Sequence, residues 1–428
     1  MIRMNLAECH AGSIAARSLA VMAKPCSGMV IGGAIGLVVL VLLTASFIFQ
    51  LDWTQSWKTI GFPGVAIPPF FDLHAVTTTA AECARAGEPY PFADCGYRTG
   101  NYNYPPVWLM LGRAGITAAD TMWLAVVIEL PAIILLILLL RGRSTALGLV
   151  ALPMVLSPST ILAFERANID ILEWGLVCTA ALVYSERRRS GAIACAMLLC
   201  AGVVSKFIAL FCTSLIVRFS RSTIAVSIAV AGFTALYLFS LTDVLPHIRR
   251  ISPFTPYISY GYPVIFDRFE ILYAPQLGLN LAGLSKSWVP HAAVAAIVAL
   301  AAVLAVVGWR RGTTVLQVDA GRDGTAFLFG AGIYCGSFLL LGTNYAYRLI
   351  FLLLCLPQLF DWLALDRASR RVAWLLIGSC IISMWLKFHP EKTLHINQLT
   401  DWILFATMMM ILALAALRSL WPEREAVV

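Results

Sequence analysis

The chain is poor in charge. Aspartate, glutamate, lysine and arginine make up 13% of its 428 residues, against about 25% in an average soluble domain. A water-facing shell around a compact core is therefore excluded for most of its length. No internal repeat, coiled-coil heptad or low-complexity tract is visible, and no soluble domain is appended. Cysteine occurs eleven times, but never as C-x-x-C or in a Cys/His metal spacing, so no metal centre and no cofactor are expected. Most of these cysteines lie inside apolar segments and read as small hydrophobes.

Apolar residues fill the sequence instead, at 60% of the total. Runs of roughly 18 or more recur along the chain, the pattern of transmembrane helices. The expected fold class is an all-α polytopic membrane protein. Twelve spans fit, near 29–51, 118–140, 145–158, 168–184, 190–203, 206–217, 222–242, 289–309, 325–341, 347–364, 372–388 and 400–419. Several are short for a crossing of about 20 residues, and the pair 190–203 and 206–217 also reads as one long bent helix. The first run, Met29 to Leu51, is too long for the core of a signal peptide. It leads into Asp52 and Trp53 rather than a small-residue cleavage site, so it reads as an uncleaved span. The expected organisation is a tail (1–28) carrying Arg3, Arg17 and Lys24, a single membrane domain (29–419) and a second tail (420–428).

A net charge of +8 would suit nucleic acid in a soluble protein. Here the basic residues read as topology signals, and no nucleic-acid partner is expected. With the amino terminus inside, the clusters RGRS (141–144), ERRRSG (186–191), RFSRS (218–222), the arginines of 309–324, LDRASRR (365–371) and RSLWPERE (418–425) all fall on the cytoplasmic side. Merging the doubtful pair would reverse every later loop, so twelve spans with both termini cytoplasmic is the expectation, in an inner or plasma membrane. Two long loops, 52–117 and 243–288, then lie outside. Loops of that length are usually functional or carry their own structure.

Within the first loop, FDLHAVTTTAAECARAGEPY (71–90) reads as a short amphipathic helix along the membrane surface, ending at Gly87 and Pro89. Asp72 and His74 stand at its start, where Asp72 suits a helix N-cap or first-turn carboxylate. In NYNYPPVWLML (101–111), Tyr102, Tyr104 and Trp108 suit an interfacial aromatic belt or a platform for a sugar or lipid headgroup. Cys83 and Cys95 are either a disulfide, which an extracytoplasmic compartment permits, or two unpaired thiols.

The stretch FERANIDILEW (164–174) concentrates Glu165, Arg166, Asn168, Asp170 and Glu173 where the fourth span begins. Ionisable residues at membrane depth usually face a bundle interior or a wet cavity. Arg166 and Asp170, spaced i,i+4, suit a structural ion pair, and Asn168 suits a cap. Lys206 in VVSKFIALF, Asn344 and Arg348 in GTNYAYRLIF, His389 in KFHPEKTLH, and His247, Arg249 and Arg250 in the second loop are further polar entries. Each alone reads as snorkelling or structural. Together, Asp72, Arg166, Asp170, Lys206, Arg348 and His389 map to one face, and such convergence suits a phosphate-bearing substrate.

The succession FDLHAV, NYNYPPVW, ERANID, a lone intramembrane lysine and YRLIFL resembles the family-87 GT-C glycosyltransferases. These are integral membrane mannosyl- and arabinosyltransferases that use polyprenyl-phosphate sugars. The likeness covers most of residues 50–365, and ERANID is close to ERGNID-type segments, with Ala167 where glycine is common. The resemblance implies a GT-C fold and an extracytoplasmic active site. It implies a polyprenyl-phosphate sugar as donor, a glycolipid or glycan as acceptor, and no nucleotide-binding loop. It implies Asp72 as general base, with Glu82, Glu88 and Asp94 of the same loop as alternatives. Lys206 and Arg348 would face the leaving phosphate, helped by His389 or Arg249. Tyr102, Tyr104 and Trp108 would shape the groove, with His74, Arg166, Asn168 and Asp170 in its wall. The readings from other classes are a transporter or flippase of lipid-linked sugars, and a polysaccharide polymerase or ligase using a pyrophosphate-linked glycan.

Overall fold

The structure, a computed structural model, describes residues 27–59, 62, 68–88, 102, 104–246, 259–281, 283–311, 316–341, 344–387 and 390–421. The protein is an all-α polytopic membrane protein. Among the described residues, nine helices are long and apolar enough to cross a membrane, or ten if one bent pair counts as a single span. Helices dominate because lipid offers backbone N–H and C=O groups no partner, so each segment must bond to itself.

Three of the twelve expected spans differ from long straight helices, each for a local reason. At 145–158 the helix Thr145–Val155 breaks and restarts as Pro158–Glu165, bent by 65°. Ser157 sits extended before Pro158 (φ −68°, ψ 151°) and caps the second helix, accepting from Thr160 N, because a residue preceding proline avoids the helical region. At 168–184 the helix is Ile169–Val183, only 15 residues, because the chain turns sharply just before it. At 206–217 the chain forms a 3-10 helix, Ile208–Arg218, of 11 residues, which at about 2 Å per residue spans about 22 Å. The doubtful pair is two elements. Gly202 lies so close to Ala209 that a Cβ would meet the Ala209 Cβ at 2.8 Å, whereas seven residues of one helix rise about 10 Å.

Burial separates core from lipid-facing helices. In Arg322–Leu340 and in the composite helix Ala346–Ala364, 83% of the apolar window is buried, against 12% in Ser27–Ile48 and 11% in Val289–Arg310. The core helix Arg322–Leu340 approaches Ile208–Arg218 through small residues. A Cβ on Gly336 would sit 2.2 Å from the Phe211 ring, the close contact that drives packing where lipid removes any hydrophobic gain. The peripheral helices turn Leu40, Leu43 and Phe47 outward instead.

The first loop carries structure, as expected. Its helix is a π-helical turn, Asp72–Thr78, continuing as the α-helix Thr79–Arg85 and stopping at Gly87 with φ +84°. Leu73, Ala75, Thr78 and Ala81 are buried, so this helix lies against protein. Phe71 occupies the N-cap position and no side chain caps the end, so Asp72 is a first-turn carboxylate and not a cap. The second long loop is tied down by an antiparallel pair of two-residue strands, Ser259–Tyr260 against Asn344–Tyr345. At the other end of the bundle, Arg143 bridges Asp323 and Asp361.

Candidate functional site

Polar side chains converge where four elements end. Asp72 opens the π-helical turn, Asp170 lies in the first turn of Ile169–Val183, Lys206 ends Arg189–Lys206, and Arg348 is the third residue of the 3-10 helix Ala346–Cys355. A carboxylate at a helix start and an ammonium at a helix end are each favoured by the helix dipole. Asp170 and Lys206 therefore arrive with both local fields in their favour.

Asn168 joins these groups. Its side-chain oxygen accepts from the Asp170 backbone N–H at 2.9 Å, which caps the helix, and from Lys206 Nζ at 2.9 Å. Its amide nitrogen donates to Asp72 Oδ2 at 2.5 Å and faces the Tyr104 hydroxyl at 3.3 Å. Arg166 Nη1 reaches Asp72 Oδ1 at 3.2 Å. Lys206 Nζ lies 2.7 Å from Asp170 Oδ1, and Arg348 Nε lies 3.4 Å from Asp170 Oδ2. Arg348 Nη1 also donates to Asn344 Oδ1 at 2.6 Å. The Lys206 ammonium stands 4.8 Å from the Tyr104 ring centre and 5.7 Å from that of Tyr347, within the range of a cation–π contact.

The expected Arg166–Asp170 pair does not form. Arg166 binds Asp72, while Asp170 binds Lys206 and Arg348. The i,i+4 argument requires one continuous helix, and Ala167, with φ +43°, ends one helix before Asn168 starts the next. Left-handed backbone recurs at this site. Phe70 (φ +56°) precedes Asp72 by two residues, and Phe207 (φ +58°) follows Lys206 directly. Such conformations are uncommon for residues with a side chain, cost of order 1–3 kcal/mol each and cluster at functional sites. The π-helical turn that begins at Asp72 is a second irregularity of that kind.

Exposure sorts the carboxylates. Asp72 retains 6% accessibility, whereas Asp170 and Glu173 have none. Asp170 is thus the fully buried anchor that holds Lys206 and Arg348 in place, while Asp72 keeps a small residual exposure. Each Asp72 oxygen has one described partner, which leaves lone pairs for a hydroxyl. Burial pushes the Tyr104 phenol well above its usual range, and the nearby Asp72 charge pushes it further, so this ring stays neutral.

Not every expected residue joins the cluster. His74 turns toward Thr121, with Nδ1 at 3.2 Å from the hydroxyl, and burial lowers its pKa against the opposing pull of the Ala118 backbone and Glu82. Tyr102 and Tyr104 are buried at 1% and 5% exposure, which overturns the interfacial belt for both, since belt rings lie at the water boundary. Tyr102 donates to Pro105 O at 2.8 Å, within its own loop. Trp108 donates to Ser205 O at 2.9 Å and so braces the residue beside Lys206. Glu82 accepts from Ala118 N at 3.2 Å. Cys83 is disulfide-bonded; Cys95, Asp94, Arg249 and His389 lie outside the described residues.

Sequence reasoning does not single out Tyr347 or Tyr260, and it marks Lys387 in KFHPEKTLH as an isolated polar residue without its partner Asp401. Lys387 pairs with Asp401 and donates to Asn397 Oδ1 at 3.0 Å, while Ser383 donates to Asp401 Oδ1 at 2.5 Å. Among the described residues, no group of three or more His, Cys, Asp or Glu side chains gathers as a metal site would need. The cluster around Asp72 can accept a proton and present two cations to an anion. Compared with family models, with curated proteins and with solved structures, the chain finds no match.

Proposed function

We propose that the protein is an integral membrane glycosyltransferase that moves a sugar, mannose-like or arabinose-like, from a polyprenyl-phosphate donor to a glycolipid or glycan acceptor. The observation that carries this reading is Asp72, held by Arg166 and Asn168 beside Lys206 and Arg348. In the transfer, the acceptor hydroxyl gives its proton to Asp72 as its oxygen bonds to the anomeric carbon. The bond from that carbon to the phosphate oxygen breaks, and its electron pair leaves with the polyprenyl phosphate. Negative charge grows on that phosphate, and fixed cations nearby lower the barrier. Lys206 has three N–H donors and uses two on Asp170 and Asn168; Arg348 keeps Nη2 beyond its contacts with Asn344 and Asp170. The distribution of arginine clusters supports an extracytoplasmic site in a GT-C architecture.

A transporter of lipid-linked sugars fits less well, because such transporters are built from repeated halves and no internal repeat is visible in this sequence. The deciding experiment uses membranes containing the wild type or Asp72→Asn, supplied with a panel of labelled polyprenyl-phosphate sugars. The variant should lose transfer per folded molecule by about 10²–10⁴-fold, the usual weight of a general base, while it still expresses and folds with a lowered melting temperature, since Arg166 loses its counter-charge. Undiminished transfer by Asp72→Asn removes Asp72 as the base. Sugar uptake without any glycosylated product would falsify the enzyme reading itself.

A further inference from the structure

A groove of about 490 Å³ opens between the first-loop helices and the spans Arg189–Lys206 and Arg221–Ser240. Its walls are apolar, with Val107 and Met110 on one side and Val204 and Tyr237 on the other; two arginines, Arg85 and Arg113, line it as well. Both arginines are exposed, and neither has a carboxylate partner among the described residues. Glu82, the nearest acid on the same helix, is turned to the Ala118 N–H instead. Gly112 brings together the two short helices that carry these arginines. A Cβ there would meet Ala81 O at 1.9 Å and Arg85 Cβ at 3.3 Å, so only glycine lets Thr79–Arg85 and Met110–Arg113 touch this closely. The groove faces lipid, since Met110 is 58% exposed and Leu236 and Phe239 on the neighbouring span are 73% and 78% exposed.

We propose that this groove binds an anionic phospholipid of the surrounding bilayer, with its phosphate between Arg85 and Arg113 and one acyl chain along Val107, Met110, Val204 and Tyr237. Guanidinium groups hold phosphate through paired charge-assisted hydrogen bonds, and two such cations over an apolar channel match a headgroup followed by a chain. The phosphate is not the one that a sugar transfer would release. Arg85 lies thirteen residues along a continuous helix from Asp72, about 20 Å at helical rise. The inference therefore stands apart from the glycosyltransferase reading. The bound lipid would clamp the loop carrying Asp72 onto the helix carrying Lys206, across the Trp108–Ser205 bond.

The test compares full-length wild type, Arg85→Gln/Arg113→Gln and Arg85→Lys/Arg113→Lys in nanodiscs of phosphatidylcholine with or without phosphatidylglycerol. Phosphatidylglycerol should raise the melting temperature of the wild type by on the order of 2 °C. The glutamine pair should lose that gain and the lysine pair should keep part of it. A photoreactive phosphatidylglycerol should label peptides bearing Arg85, Arg113 or Tyr237, and labelling should fall at least about tenfold in the glutamine pair, as loss of two charge-assisted bonds implies. An unchanged lipid gain in the glutamine pair, or labelling confined to other helices, overturns the site. Labelling displaced by polyprenyl phosphate but not by phosphatidylglycerol overturns the occupant.

Discussion

Two buried ion groups among the described residues differ in how they are closed. Lys387 and Asp401 have no exposure at all; Asn397 and Ser383 bond to them from two adjoining helices, and the Tyr260 ring lies 5.8 Å from the ammonium. The Asp170 group draws on four separate elements, from Asp72 to Arg348, and is sealed only in part: Asp170 and Asn168 have no exposure, whereas Lys206 keeps 8% and Arg348 17% side-chain exposure. A sealed local group can only hold helices together. A group assembled from distant element ends, irregular in backbone and left partly open, is built to meet something else.

Lys387 is where the largest effect on stability is expected. Asp401→Ala leaves a buried ammonium without a counter-charge, a loss of about 3–5 kcal/mol. Replacing both partners, as Lys387→Leu/Asp401→Leu, should cost less than either single change, because an apolar pair of similar volume removes the desolvation penalty as well. Chemical or thermal unfolding of the three variants in detergent tests this. Transfer activity per folded molecule should stay near wild type. A selective loss of activity would mean that the sealed group takes part in the site and that the contrast is wrong.

Asp170→Asn should behave differently. Lys206 and Arg348 lose their shared anchor but keep some access to water, so the stability loss is smaller, about 1–3 kcal/mol. Activity per folded molecule should fall as well, because both cations are released from their positions. Loss of stability alone would place Asp170 in the same class as Asp401.

Much of the site is legible in the sequence alone. The charge in FERANIDILEW, the lone lysine in VVSKFIALF and the arginine of YRLIF stand out because lipid makes charge costly, and Arg166, Asn168, Asp170, Lys206 and Arg348 do meet. Which group pairs with which is not legible. The Arg166–Asp170 spacing suggests a helical pair, but a single left-handed residue, Ala167, rotates the two apart. Lys387 stands out as a charge at the end of a span, but its pairing with Asp401 does not, because the two are fourteen positions apart and meet only when two helices fold back on each other. The bend at Ser157 and the 3-10 helix after Phe207 are equally hidden, since an apolar run looks the same whether its helix is straight or broken.

The pH dependence of the first-loop helix offers a smaller test. His74 is half buried against Thr121, and burial lowers its pKa below 6.5. The folded state thus prefers neutral imidazole, so the unfolded chain binds more protons in this range. This contribution to stability is complete above pH 6.5 and is lost as pH falls through the lowered value. Melting temperatures between about pH 7.5 and 5 should decline for the wild type, and His74→Gln, which can still bond Thr121, should show a shallower decline. Identical slopes would remove His74 as a source of acid sensitivity. Activity per folded molecule should be insensitive to His74→Gln, because His74 points away from the cluster, toward Thr121.

The smallest effect is expected at Ala167, where backbone and burial oppose each other. Its φ of +43° is one that glycine adopts without cost, so Ala167→Gly relieves local strain. Its methyl group is fully buried, and losing it forfeits about 0.8 kcal/mol of burial. The two nearly cancel, so the variant should melt within about 1 kcal/mol of the wild type, allowing for the extra freedom glycine gains when unfolded. Ala167→Val adds a β-branched side chain at positive φ, a conformation rare for such residues, and should both destabilise the protein and lower activity. Calorimetry and transfer assays on the pair separate the causes. If valine is tolerated as well as glycine, the left-handed turn is not what sets Arg166 toward Asp72 and Asp170 toward Lys206, and the site's geometry must be held from the helices behind it.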